Sequence, residues 1–205
     1  LTGRKDKFKT IRQLNSISGF LRRDESEYDI FGAGHASTSI SAALGFAHVR
    51  DKMNSNNQVL AVIGDGALTG GMAYEGLNNL GYHRTQLTVI LNDNSFSISK
   101  SVGALSKYLT RITTNPTYNK LRNEIWNISN KVPVLSKQIQ KILRKTEGTV
   151  KSYLTPGILF EELGLRYIGP IDGHDIENMI KVFKSVKTMN SPVLLHVYTD
   201  KSKGY

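Results

Sequence analysis

Asp65 and Asn94 are the two side chains whose surroundings point most directly to chemistry. Asp65 stands between Gly64 and Gly66 at the end of an apolar run, and Asn94 closes Asn92-Asp93-Asn94 at the end of the next run, 29 residues after Asp65. One carboxylate and one amide oxygen are hard donors that suit a magnesium ion and leave room in its octahedral shell for phosphate oxygens. The glycines beside Asp65 let backbone approach a diphosphate closely, and the start of a following helix offers unpaired amides to the anion. A plain strand-to-helix turn with Asp65 as its N-cap would use the same residues. The second motif at the next strand end favours the magnesium-diphosphate reading.

The elements that must position these residues are legible around them. Val59-Leu60-Ala61-Val62-Ile63 and Leu87-Thr88-Val89-Ile90-Leu91 are short aliphatic runs of the kind that form buried parallel strands. Between them, Ala67 to Leu80 carries Met72, Ala73, Gly76, Leu77 and Leu80 at helical spacing. The unit is therefore β-α-β, and a right-handed crossover brings Asp65 and Asn94 to one edge of the sheet. Thr38 to Met53 reads as a helix with Ile40, Ala43, Leu44 and Ala47 on one face, opened by hydroxyl residues able to cap it. Its N-terminus is expected at the same sheet edge.

The string from residue 64 to residue 99, GDGALTGGMAYEGLNNLGYHRTQLTVILNDNSFSIS, resembles the thiamine-diphosphate motif of the 1-deoxy-D-xylulose-5-phosphate synthase family. Tyr28-Asp29, Gly34-His35-Ala36-Ser37-Thr38-Ser39, Asn92-Asp93-Asn94 and Ser97-Ile98-Ser99 separate this family from other thiamine-diphosphate enzymes, which share only the sparse GDG and Asn pattern. The likeness is specific from Leu1 to about Ser106 and weak from about Lys107 to Thr155. It resumes at Pro156-Gly157, Phe160-Glu161-Glu162-Leu163-Gly164, Gly169-Pro170-Ile171-Asp172-Gly173-His174-Asp175 and Lys203-Gly204-Tyr205.

The resemblance implies an α/β fold, a mostly parallel sheet flanked by helices in the thiamine-diphosphate-binding arrangement, with residues 1–205 as part of one such domain. By position it implies that Asp65, Asn94 and the main-chain carbonyl of Phe96 hold Mg2+, Phe96 standing where many members have methionine. Gly66 and Ala67 would line the diphosphate, with Asn94 also on the cofactor. Gly34, His35 and Ala36 match a second cofactor-contacting segment, in which Ala36 replaces the more frequent serine. Tyr205 matches a tyrosine near the cofactor, in a run where Ser202 replaces the usual first glycine. The implied enzyme is a transferase that condenses pyruvate with glyceraldehyde 3-phosphate, with loss of carbon dioxide, to 1-deoxy-D-xylulose 5-phosphate. That is the entry step of the non-mevalonate isoprenoid route, carried out by a homodimer. Asp65 and Asn94 are then anchors, the cofactor supplying the carbanion chemistry. The chain reads as a fragment, because it lacks an initiator methionine and the family continues into two further domains. An upstream histidine segment and the glutamate that activates the aminopyrimidine are expected outside it, so the catalytic residues are not assigned here and the piece alone is expected to be silent.

Composition bounds these readings. A chain of 205 residues with 39% apolar and 21% charged residues suits one soluble globular domain. No apolar run approaches membrane-spanning length, so no membrane role is expected. The absence of cysteine excludes disulfides and thiolate metal sites and fits a reducing compartment, the cytoplasm, with a plastid as the alternative. The net charge of +10 raises nucleic acid as a partner, but 11 Lys and Arg against Glu124 and Glu147 between Lys100 and Lys151 carry most of it. A solvated helical surface is the plainer reading, with attraction of anionic substrates as a milder functional one. No nucleic-acid partner is expected.

Residues 107–155 are expected to form a helical insertion, mobile over the cleft, with Leu135, Ile139, Ile142 and Leu143 as a narrow stripe and breaks at Pro116 and Pro133. A short helix after Gly157, a strand at Tyr167-Ile168, a helix carrying Ile176, Met179, Ile180, Phe183 and Val186, and a strand from Pro192 to Tyr198 complete the chain. Asp172-Gly173-His174-Asp175 reads as a loop before a capped helix rather than as a catalytic histidine site. His48, His83 and His196 show no metal-ligand spacing. Gly32-Ala33-Gly34 is not a dinucleotide fingerprint, since Ser37 stands where the third glycine belongs. A transketolase or a 2-oxoacid dehydrogenase component, and a basic nucleic-acid-binding module, are the alternatives.

Overall fold

The computed structural model describes residues 2–94, 103–114 and 157–204. After a 3-10 turn over Lys5–Thr10 the elements are α1 (Ser39–Lys52), β1 (Leu60–Gly64), α2 (Asp65–Leu68), α3 (Gly71–His83), β2 (Thr88–Asp93), α4 (Ala104–Thr114), α5 (Ile158–Glu162), β3 (Arg166–Asp172), α6 (Ile176–Lys187) and β4 (Val193–Tyr198). The four strands form one all-parallel sheet in the order β1-β2-β4-β3. The expected α/β fold with helices flanking a parallel sheet is what the chain adopts.

Strand alternation divides the core. Ala61 and Ile63 of β1, Val89 and Leu91 of β2 and Leu194 of β4 meet Ile40, Ala43 and Leu44 of α1, Leu77 and Leu80 of α3, and Phe160 of α5. Leu77, Leu80 and Phe160 are wholly buried, each contributing about 1.5–3 kcal/mol of apolar burial. On the other face Val193, Leu195 and Val197 of β4 and Ile171 of β3 pack under Val182 and Val186 of α6.

Four expectations need correction. The single helix from Ala67 to Leu80 is two: α2 is one turn, and α3 starts afresh after Gly70, whose backbone is extended (φ −74°, ψ 142°). The strand at 59–63 is half open among the described residues, with Leu60 and Val62 exposed, because β1 there ends the strand order and α6 covers the far half of the sheet. The buried face of α6 is rotated: Val182 enters the core beside Val186 while Ile176 and Ile180 are exposed. The hydroxyl cap of α1 is unused, since Thr38 makes no side-chain cap hydrogen bond. Asp175 does cap α6, accepting from the Asn178 amide at 3.1 Å. Helix α4 overlaps only the first residues of the expected insertion, whose stripe at Leu135 to Leu143, prolines and most of the basic window lie outside the described residues.

Ahead of α1 the chain is irregular and is held by ion pairing. Arg4 grips Asp29 through both guanidinium nitrogens at 2.7 and 2.8 Å, a bidentate pair. Asp29 is buried, and hydrogen bonding from Arg4 holds its carboxyl below the ordinary value of 3.8. A depressed carboxylate pKa adds stability that is complete above the unfolded value and lost as pH falls through the folded one. The urea midpoint of the full-length protein is therefore expected to drop as pH falls below about 4, and Asp29→Asn is expected to flatten that acid limb. An acid limb identical in the variant would show that the pair contributes nothing.

Candidate functional site

The site forms at the carboxyl ends of β1, β2 and β4, where ligands bind in parallel α/β sheets. Gly64 is the register partner of Asn92, so Asp65 falls beside Asp93 and Asn94 as the crossover argument required. The Asp65 carboxylate is buried and accepts from the backbone N–H groups of Gly66, Asn94 and Asp65 itself. Gly64, not Asp65, is the N-cap of α2. Asp65 thus joins the two motifs directly. Burial pushes its pKa up, the negative charge of Asp93 adds to that, and the three amides oppose it. A divalent cation would relieve both causes, and the carboxylate of Asp65 with the side-chain oxygen of half-buried Asn94 is a hard donor set that fits magnesium. Among the described residues no three Asp, Glu or His cluster as a metal site, so such an ion depends on amide and carbonyl oxygens as well.

The segment Gly34-His35-Ala36 reaches the same edge. Ser37, with a left-handed backbone (φ 70°), donates from Oγ to the Ala67 carbonyl at 2.6 Å and so docks the segment on α2. Gly70 permits this contact, since a Cβ there would collide with the Ser37 side chain. Gly34, His35 and Ala36 themselves are exposed, and Gly66 and Ala67 are half-buried. Gly34 and Gly64 both face open space where a Cβ would stand. Only one short turn follows Asp65, and its first two amides already face the Asp65 carboxylate. The long helix N-terminus expected to offer free amides to an anion is therefore replaced by this turn. Phe96 and Tyr205 lie outside the described residues.

Residues that sequence reasoning passed over complete the edge. Wholly buried His196 bridges Asp93 and Tyr167 (Nε2 to Oδ2 2.9 Å, Nδ1 to the hydroxyl 2.8 Å). The Thr199 hydroxyl donates to Asn92 Oδ1 at 2.9 Å, and its amide to the Asp93 carbonyl at 2.9 Å. His174 lies in the turn before α6, and its Nε2 accepts from the Asp200 amide at 2.8 Å. Asp172 accepts from the His174 amide at 2.8 Å and from the Tyr198 hydroxyl. The His174 amide chiefly lowers the Asp172 pKa, with help from the charge of Lys203. Together they fasten the turn at 199–204 that leads to Tyr205. The only signal for these contacts in the sequence is a histidine inside the otherwise apolar β4.

The comparisons bear on the fold and the family. The chain resembles solved transketolase from Campylobacter jejuni in fold, with a TM-score of 0.64 at 20% identity over 95% of this chain and 24% of that one. It is 54% identical to a 1-deoxy-D-xylulose-5-phosphate synthase from Caldanaerobacter subterraneus over all 205 residues, and 53% identical to one from Carboxydothermus hydrogenoformans. It spans 33% of the length of each of these two relatives. A family model described as 1-deoxy-D-xylulose-5-phosphate synthase matches residues 1–199, and the chain belongs to that family.

Proposed function

We propose that this chain is the part of a 1-deoxy-D-xylulose-5-phosphate synthase that holds the magnesium-diphosphate end of thiamine diphosphate. The observation that carries the reading is Asp65: a buried carboxylate at a parallel strand end, facing Asp93 and bonded by the Asn94 amide. Asp65, Asn94 and the Phe96 carbonyl would hold Mg2+, with Gly66 and Ala67 along the diphosphate. Gly34, His35, Ala36 and Tyr205 would contact the rest of the cofactor. The open space at Gly34 and Gly64 supports close approach of a ligand to the backbone there.

When bound, the cofactor supplies the carbanion equivalent for joining decarboxylated pyruvate to glyceraldehyde 3-phosphate. This chain's residues bind and orient: Asp65 and Asn94 would hold the metal, whose charge would offset that of the diphosphate, and Ser37 holds the second segment against α2. No proton transfer is assigned to them. The complete enzyme is taken to be a cytoplasmic homodimer. Membership of the synthase family favours this activity over a transketolase, a 2-oxoacid dehydrogenase component or a nucleic-acid-binding module. Thiamine diphosphate titrated into the full-length protein is expected to bind with Mg2+ and to lose that binding in excess chelator. Equal binding with and without the metal would contradict the assignment.

A further inference from the structure

β4 reads Val193-Leu194-Leu195-His196-Val197-Tyr198, buried at every position but the last. A leucine at 196 would fill such a strand at no desolvation cost, whereas a buried imidazole is tolerated only when both ring nitrogens are satisfied. Both are. The tautomer with a proton on Nε2 donates to Asp93 Oδ2 and leaves Nδ1 to accept from the Tyr167 hydroxyl. Tyr167 is fixed in turn: its ring stacks on Phe160, with centroids 5.8 Å apart and planes 4° apart. Its close packing also requires Gly157, where a Cβ would strike the ring.

This chain of contacts runs from α5 and β3 through β4 to β2 and ends on Asp93. Asp93 faces Asp65 and immediately precedes Asn94. Its side chain is held by His196 of β4 and its carbonyl by the amide of Thr199, the residue that follows β4, so the strand end is tied at two points. We propose that Tyr167, His196 and Asp93 form a positioning relay that sets where Asn94 and Asp65 stand and thereby fixes the affinity of the site for its divalent cation. The proposal rests on the reading of Asp65 and Asn94 as ligands of that cation. Partners that orient ligands from behind in this way alter metal affinity by about 10–100-fold when removed.

The test is Mn2+ binding, followed by the loss of its free electron-paramagnetic-resonance signal, in the full-length protein with equimolar thiamine diphosphate, corrected by a titration of thiamine diphosphate alone. Melting is measured without metal in parallel. Tyr167→Phe deletes one oxygen, and His196→Phe removes both hydrogen bonds. His196→Gln keeps an amide donor for Asp93. Mn2+ affinity is expected to fall about tenfold or more in H196F and by a smaller factor in Y167F, with H196Q recovering part of the loss. If H196F does not fold, the Y167F result decides. Unchanged Mn2+ affinity in Y167F and in whichever His196 variants fold would overturn the relay, even if melting temperatures fell, because the contacts would then serve packing alone. If the unaltered protein binds no Mn2+ with the cofactor, the ligand assignment itself fails and takes the relay with it.

Discussion

Asp65→Ala is expected to abolish magnesium-dependent binding of thiamine diphosphate by the full-length protein, weakening it at least about 100-fold, or about 3 kcal/mol. Two losses combine. The metal would lose its one carboxylate ligand in the proposed set, and the amides of Gly66 and Asn94 would lose the acceptor that holds the two motifs together. Gly66 and Asn94 are half-buried, so leaving these donors unpaired costs less than the roughly 1–3 kcal/mol of a fully buried group. Asp65→Asn separates the two effects. Its amide oxygen can still accept from those N–H groups, and the like charge facing Asp93 is gone. The asparagine variant is therefore expected to melt no lower than the unaltered protein without metal while still binding the cofactor poorly. Calorimetric titration with Mg2+ present reads the binding directly. Cofactor affinity unchanged in the alanine variant would remove Asp65 from the site.

The largest effect on stability is expected at Gly81, far from that chemistry. Near the end of α3, Gly81 passes so close to the turn after α5 that a Cβ would run into the Leu163 carbonyl. The other side cannot yield, because Gly164 is itself in the left-handed region (φ 87°) with the Gly81 carbonyl 3.2 Å from where its own Cβ would stand. Ala gains about 1 kcal/mol over Gly in helix propensity. Backbone displacement by overpacking costs about 1–3 kcal/mol and sometimes more. With both partners being backbone, the upper end applies, and Gly81→Ala is expected to destabilise by about 2 kcal/mol or more, lowering the melting temperature by several degrees. Gly45 provides the opposite case: it is exposed in mid α1 with open space around it. Gly45→Ala should raise stability by about 0.5–1 kcal/mol. Thermal melting of the two variants of the full-length protein checks both signs. A Gly81→Ala protein as stable as the parent would show that the α3–α5 crossing adapts.

What sequence revealed and what it hid follow from the range of the interactions. The strand runs before Asp65 and Asn94, the parallel crossover between them and the helix at 38–53 came from local periodicity, and all lie within a residue or two of the observed elements. The same periodicity concealed the break at Thr69 and Gly70, because the apolar spacing continues through it while the backbone does not. That break lets Ser37 reach the Ala67 carbonyl, a contact across 30 residues. The bond from His196 to Asp93 spans 103 residues and that from Arg4 to Asp29 spans 25. No short-range pattern encodes either partner. Exposure of Ile176 and Ile180 was likewise illegible: helical spacing defines a stripe, but Val182 and Val186 beneath β4 set which side of the stripe is buried. At the site, the alignment of Asp65 with Asn94 was legible from two strand ends. The charge of Asp93 beside Asp65, which adds to the effect of burial in raising the Asp65 pKa, was not.

Carbon dioxide release from pyruvate by the full-length protein, with thiamine diphosphate and Mg2+, tests the proposed function most directly when run with and without glyceraldehyde 3-phosphate. Release that requires the aldehyde, and that disappears in the Asp65→Ala variant, is the predicted result. Release at the same rate without the aldehyde would assign the chain to a different thiamine-diphosphate reaction, and no release under either condition would contradict the account.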